Sequence, residues 1–139
     1  METIDYGGWR FFHNEKATFD DNKVGKWMYF FSGKEGRDFA EKKCKDAVET
    51  SIVGEAKRSD STDTGVACFY LNIDDLEGHK RIISFFIQNQ MIRRTKTGKL
   101  YDISFKLDNQ TMAGKYGSNF TASLKLSQLL DLETGEWKF

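Results

Sequence analysis

The chain has 139 residues, the usual size of one domain, and its 21 basic side chains balance 21 acidic ones. Neutral net charge excludes the strong positive field that holds proteins on duplex DNA or anionic membranes. No apolar run reaches the ~18 residues of a membrane span, and the N-terminal residues do not resemble a secretion signal. We therefore expect one cytoplasmic domain over residues 1–139, in which any bound anion is met by local charge.

Cysteine and histidine are too few for the common metal sites. Cys44 and Cys68 lie in apolar stretches without CxxC spacing, which indicates small buried side chains in a reducing compartment. His13 and His79 are 66 positions apart, and His79 falls on an apolar helical stripe. A structural zinc site or a histidine-based triad therefore has little material, and we expect no metal and no cofactor.

Hydrophobic spacing predicts two helices and seven strands. Apolar positions recur every three to four residues over 35–52 and 76–91, so each of these segments is expected to be an amphipathic helix. Asp74 and Glu77 form a plausible capping pair for the second helix. Strands are predicted at residues 9–13, 26–31, 54–59, 66–73, 101–108, 124–131 and 135–139.

These elements favour an α+β domain with a curved, mostly antiparallel sheet and two or three helices packed on its convex face. In the strand at 101–108, alternation points Tyr101 and Phe105 to the core and Lys106 and Asp108 to the other side. Lys106 and Asp108 are therefore expected to face a solvent-filled concavity without helices.

The best chemical signal in the sequence is a corner suited to phosphate. Common catalytic loops and elbows are missing, whereas a strand end and its following turn gather cations, a hydroxyl, a glycine and an aromatic ring. A second strand offers two cations and a hydroxyl. The alternative interpretation is two ordinary solvated strand ends. The residues concerned are Lys106, Thr111, Gly114, Lys115 and Tyr116 in the first segment and Lys57, Arg58 and Ser59 in the second.

Four segments in this order resemble a known domain family: Val24-Gly-Lys-Trp-Met-Tyr-Phe, Gly54-Glu-Ala-Lys, the apolar strand ending in Ile73-Asp-Asp, and Phe105-Lys-Leu-Asp-Asn-Gln-Thr-Met-Ala-Gly-Lys-Tyr. Over roughly residues 23–120 the chain resembles the domain of unknown function typified by the basophilic leukaemia-expressed protein. That family looks like the cap-binding translation initiation factor 4E fold, which implies a ligand site on the concave sheet face. The residues that the resemblance assigns to the site are Lys26, Trp27, Lys57, Lys106, Asp108, Thr111, Gly114 and Tyr116.

We therefore hypothesise non-enzymatic capture or sensing of a nucleotide or another phosphorylated small molecule, for example by a phage sponge for a bacterial defence signal. Lys57 and Lys106 would meet the phosphate, and Tyr116 or a tryptophan such as Trp9 would stack on the base. One alternative is a phosphoester-cleaving enzyme with Asp108 as general base. Others are a protein-interaction module that uses an exposed strand edge, and an RNA-binding protein, which the neutral charge disfavours.

Overall fold

The structure is a computed structural model that describes residues 1–109 and 124–139. Its described part contains one seven-stranded antiparallel sheet with strand order β1-β2-β4-β5-β3-β6-β7. The strands are β1 Glu2–Tyr6, β2 Trp9–His13, β3 Val24–Ser32, β4 Glu55–Ser59, β5 Thr64–Asn72, β6 Ser104–Leu107 and β7 Leu124–Lys125, and the helices are α1 Gly33–Glu49 and α2 Leu76–Gln88. The α+β class and the antiparallel sheet are thus confirmed, and no helix of the described part is long and apolar enough to cross a membrane.

Both helices pack on the same face of the sheet. The β3 side chain Trp27 is fully buried and meets His79 of α2, whereas Arg58 of β4 is buried against Glu41 of α1. We call the opposite face the lysine face, because it carries Lys26, Lys57 and Lys106. The core between sheet and helices is built largely from Phe12, Ala40, Cys44, Ala56, Phe69, Ile82, Ile83, Phe86 and Phe105.

Several predicted boundaries change in the structure. Strand β1 was not expected, because all five of its residues are exposed and it buries no apolar stripe. The strand predicted over 101–108 shortens to Ser104–Leu107, and Tyr101 is 47% exposed instead of buried. After β7 the chain forms a 3₁₀ turn at Leu126–Gln128, and the strand predicted over 135–139 is reduced to one bridge between Leu130 and Trp137.

The start of α2 also differs from its prediction. Asp75, not Asp74, is the N-cap residue, and its carboxylate accepts a hydrogen bond from the Gly78 N–H at 3.0 Å. Asp74 instead pairs with Lys23 at 2.8 Å on the surface. Neighbouring aspartates are equivalent in sequence, and the backbone path decides which of them reaches the free N–H groups.

A buried hydrogen-bond chain joins β3 to α2. The Trp27 indole N–H donates to His79 Nδ1 at 3.0 Å, and the other ring nitrogen of His79 lies 2.7 Å from the Ile73 carbonyl oxygen. Because Nδ1 accepts, Nε2 must carry the proton and donate to that carbonyl. His79 is therefore a neutral, satisfied core histidine, as its place on the helical stripe predicted, and burial lowers its pKa.

Gly25, the second residue of β3, has no room for a side chain. A Cβ atom built there would overlap the Phe105 ring and lie 2.5 Å from the Lys106 carbonyl oxygen. Gly25 pairs directly with Leu107, so this contact is set by the register of β3 and β6. The absent side chain lets the Phe105 ring lie across β3 and complete the core beneath it.

We expect Gly25→Ala to lower the free energy of unfolding by about 1–3 kcal/mol, because the added methyl group overpacks a fixed backbone contact. Urea denaturation of wild type and variant measures the change. Gly36→Ala in α1 is the control, since its Cβ would meet nothing nearer than the Phe31 Cβ at 3.3 Å. Equal effects at the two glycines would contradict this explanation.

The neutral His79 predicts a pH-dependent component of stability. Because its folded-state pKa is lowered, the unfolded chain takes up the proton first as the pH falls, and stability is lost below the ordinary histidine range. We expect wild type to lose up to about 1.4 kcal/mol per pH unit from this group between pH 6.5 and 5. His79→Gln should be less stable at pH 7.5, and its deficit should narrow toward pH 5. A deficit that stays constant across urea titrations at these pH values would refute the assignment.

Candidate functional site

The lysine face gathers cations and aromatic rings from five neighbouring strands. Its register places Lys26 of β3 opposite both Tyr70 of β5 and Lys106 of β6. One step along the sheet, Lys57 of β4 lies opposite Phe11 of β2 and Cys68 of β5. Because all these strands are antiparallel, directly opposed side chains share one face and stand within reach of each other.

Lys57 is held among aromatic rings. Its ammonium lies 3.9 Å from the centroid of the Trp9 ring, 5.4 Å from that of Phe11 and 5.8 Å from that of Tyr70. Ring faces attract a cation, and the attraction grows when the cation is desolvated. Burial, followed by the charge of Lys26, lowers the pKa of Lys57. No ion pair joins Lys57 to any residue of 1–109 or 124–139, so its N–H donors are directed to ring faces and solvent.

Lys26 is a buried cation with a carboxylate partner. Its side chain is only 9% exposed, and the ammonium donates to Asp108 Oδ1 at 2.7 Å. The same ammonium lies 5.9 Å from the Tyr70 ring centroid. Asp108, which directly follows β6, therefore joins that strand end to the beginning of β3 and compensates the charge of Lys26. A buried lysine needs such a partner to remain charged.

Lys106 stands beside Lys26 on the next strand. Burial lowers its pKa first, and the neighbouring Lys26 charge lowers it further. Like charges directly opposite each other in a sheet are destabilising. The lysine face thus holds three cations, Lys26, Lys57 and Lys106, whereas Glu55 at its border is already bound to His13 at 3.0 Å.

The buried thiol of Cys68 and the phenol of Tyr70 both have raised pKa values. Burial raises the pKa of Cys68 to about 11, so the thiol stays protonated at neutral pH. Burial and the neighbouring Cys68 thiol raise the pKa of Tyr70 well above its usual range. Cys44 is likewise buried on α1, and both cysteines are free thiols, as their apolar surroundings predicted. Cys68 and Tyr70 form the floor of the lysine face, whereas Cys44 lies on the helix side of the sheet.

The structure separates two of the predicted site residues from this face. Trp27 is fully buried under α2, because it alternates with Lys26 along β3. Arg58 alternates with Lys57 along β4 and is buried against α1, where it donates to Glu41 Oε1 at 2.7 and 3.0 Å. Adjacent residues in a strand point to opposite faces, so neither neighbouring pair serves one site.

The remaining predicted residues have three different outcomes. Lys26, Lys57, Lys106 and Asp108 come together as described, whereas the Ser59 hydroxyl accepts a hydrogen bond from the Val66 N–H at 3.0 Å at the end of β4. Four predicted residues lie outside the described residues, namely Thr111, Gly114, Lys115 and Tyr116.

Phe11 and Tyr70 were missed by the sequence analysis. Phe11 lies two positions after Trp9 in a short aromatic run, and Tyr70 belongs to an apolar run expected to be buried on both faces. Only the register of β2, β4 and β5 shows that both rings neighbour Lys57. No three histidine, cysteine, aspartate or glutamate side chains of the described ranges lie close enough to hold a metal ion.

Comparison with models of known protein families finds no match for this chain, and comparison with curated proteins finds none either. The α+β fold and the geometry of the lysine face therefore carry the functional argument.

Arg58 and Lys57 should differ sharply in their effect on stability. We expect Arg58→Met to lower the free energy of unfolding by about 2 kcal/mol, because it removes charge-assisted hydrogen bonds at a buried site. Lys57→Met keeps an apolar stem against the Trp9 ring and removes a partly desolvated charge, so we expect a change below about 0.5 kcal/mol. Chemical denaturation of both variants checks this contrast, and a larger loss for Lys57→Met would make Lys57 a structural residue.

Proposed function

We propose that the chain binds a nucleotide or another phosphorylated small molecule on the lysine face, without transforming it. The observation that carries this proposal is the cluster of Lys26, Lys57 and Lys106, in which Asp108 pairs with Lys26. Two of the three cations have lowered pKa values, since burial and the neighbouring charge both disfavour their protonated forms. An anion bound between them would relieve that electrostatic cost.

Phosphate fits this arrangement better than a single carboxylate does. A phosphate group presents three or more acceptor oxygens and up to two negative charges, so it can meet several ammonium groups at once. The aromatic rings beside Lys57 also favour a ligand that carries a base. Trp9 and Phe11 are half-buried beside Lys57. Stacking of a base on such a ring contributes about 1–3 kcal/mol.

Capture is favoured over phosphoester cleavage by the position of Asp108. This carboxylate, the general base of the enzymatic alternative, accepts a hydrogen bond from Lys26 at 2.7 Å and so supports the cation cluster. A base must reach the proton that it removes, and Asp108 is already committed to a neighbouring ammonium. Capture without turnover corresponds to sequestration or sensing of the ligand.

The resemblance to the initiation factor 4E fold is part of the proposal. Such a fold places its ligand on the sheet face opposite to the helices, and the lysine face occupies that position here. Trp27 lies on the helix side, so a pair of tryptophans sandwiching a methylated guanine does not form from Trp9 and Trp27. We therefore propose a phosphate-centred mode of binding rather than cap recognition.

Isothermal titration with nucleoside mono-, di- and triphosphates and with cyclic di- and trinucleotides tests the proposal. We expect at least one of these ligands to bind with a micromolar or lower Kd, and the affinity to fall as salt is added. Lys57→Met and Lys106→Ala should each weaken binding at least about tenfold, because each removes a charged donor to the phosphate. Lys45→Met, an exposed lysine on α1, is the matched control and should leave the Kd unchanged.

Two outcomes would contradict the proposal. Millimolar or weaker binding of every phosphorylated ligand would remove the function, and equal losses in Lys57→Met and Lys45→Met would remove the site. Chromatography of the ligand after incubation separates capture from chemistry. Intact ligand recovered at catalytic protein concentrations supports sequestration, whereas product formed in many turnovers supports the phosphoester-cleaving alternative, with Asp108→Asn as its decisive variant.

A further inference from the structure

Strand β3 is paired along its whole length on one side and along only its first part on the other. Its register with β5 runs from Val24 to Ser32, but its register with β6 ends at the pair of Trp27 and Phe105. In the described part of the chain, residues 29–32 therefore have no partner strand on the β6 side. The backbone N–H and C=O groups on that side therefore form a free strand edge, although β3 does not lie at either end of the strand order.

The chain before β6 turns away from this edge. The Ile103 N–H donates to the Tyr101 carbonyl at 3.0 Å, and the Tyr101 N–H donates to the Arg93 carbonyl at 2.9 Å. These bonds fasten residues 101–103 to the segment that follows α2 and leave a groove of about 300 Å³ beside β3. The groove is lined by Met28, Tyr29, Phe30, Met91, Arg93, Tyr101 and Ile103.

The lining shows that the groove follows the edge of β3. Met28, Tyr29 and Phe30 are consecutive, so their side chains alternate between the two faces of the sheet. Three consecutive residues line one cavity only where it runs along the backbone of the strand. The groove thus offers main-chain hydrogen-bonding groups in addition to apolar side chains, among them Phe30, which is 63% exposed.

A basic segment of the chain begins at the groove. Arg93 lines it, and the exposed loop that follows carries Arg94, Lys96 and Lys99. Arg94 donates to the Gly98 carbonyl at 2.8 Å, and Lys99 lies 3.8 Å from Glu133. No ion pair joins Arg93 or Lys96 to a residue within 1–109 or 124–139. The Arg93 cation in the lining selects for negative charge in whatever enters the groove.

We propose that this edge binds an extended, acidic peptide segment of another protein by strand addition, in the place beside β3 that β6 leaves. The peptide's backbone would pair with residues 29–31, and its apolar side chains would occupy the methionine- and tyrosine-lined walls. Methionine suits such a surface because its flexible thioether adapts to different partners. An acidic residue of the peptide would meet Arg93 in the lining.

The outer edge of the sheet at β1 does not offer the same features. Strand β1 also has a free edge, but it carries the acidic Glu2 and Asp5, and all five of its residues are exposed. Ile4, on β1, is 48% exposed and therefore provides a matched apolar position for comparison with Phe30. The proposal is independent of the ligand on the lysine face, which uses the first part of β3.

A displayed library of octapeptides tests the proposal. Alternate positions hold valine, isoleucine, leucine or phenylalanine, and the intervening positions hold glutamate, aspartate, lysine or serine. We expect selection on the full chain to enrich glutamate and aspartate over lysine. The best peptide, labelled with fluorescein, should bind at least about tenfold more weakly to Phe30→Asp and to Arg93→Glu, whereas Ile4→Asp should leave its Kd unchanged. Methylating its alternate backbone nitrogens should cause a similar loss, because the side chains remain while the hydrogen bonds are removed.

Amide hydrogen exchange locates the contact. Peptide binding should slow exchange at residues 29–31 in wild type and not in Phe30→Asp. The proposal is overturned if the library yields no binder, if lysine-rich peptides are enriched, or if the backbone-methylated peptide binds equally well. Protection confined to β1, or to the strand residues around Lys26, Lys57 and Lys106, would also overturn it. So would concentration-dependent self-association abolished by Phe30→Asp, since the occupant would then be a second copy of this chain.

Discussion

The indole N–H of Trp27 is buried at the centre of the sheet and therefore needs an acceptor inside the protein. His79 supplies that acceptor and donates its own Nε2–H to the Ile73 carbonyl oxygen, so one side chain links β3, α2 and the residue that follows β5. Phe105 packs edge-on against both rings and brings β6 into the same cluster. Because Trp27 and Phe105 are held toward the helices, Lys26 and Lys106 must point the other way.

The same alternation decides the roles of Lys57 and Arg58. Both are basic residues on one short strand, and sequence alone treats them as equivalent partners for a phosphate. Glu41 of α1 lies under Arg58, so the guanidinium is neutralised within the fold. Lys57 has no ion-pair partner among the described residues and lies against the Trp9 ring face, so its charge remains available to a ligand. One residue of displacement along a strand thus separates a cation that is neutralised within the fold from the one that we propose meets the ligand.

Much of this fold could be predicted from periodicity. The helices and four of the strands begin and end within a few residues of their predicted bounds, because their apolar stripes are strong. Strand β1 has no such stripe, and its pairing with β2 depends on a turn at Gly7 and Gly8, both with positive φ. The positions of Phe11 and Tyr70 around Lys57 depend on register across three strands, which a local pattern does not contain. Faces can be read from alternation, whereas neighbours across strands cannot.

Strand β3 connects the two proposed surfaces. Its first part is paired on both sides, and there Lys26 and Lys106 are forced into direct opposition. Its second part loses β6 as a partner and exposes backbone groups beside an apolar groove. Both features are locally unfavourable, since opposed like charges repel and unpaired edges invite association. Proteins break such local rules mainly where function requires it and compensate elsewhere. Here the compensation is the fully paired border with β5 and the buried Trp27 cluster, which hold β3 in place along the side opposite to the proposed binding edge.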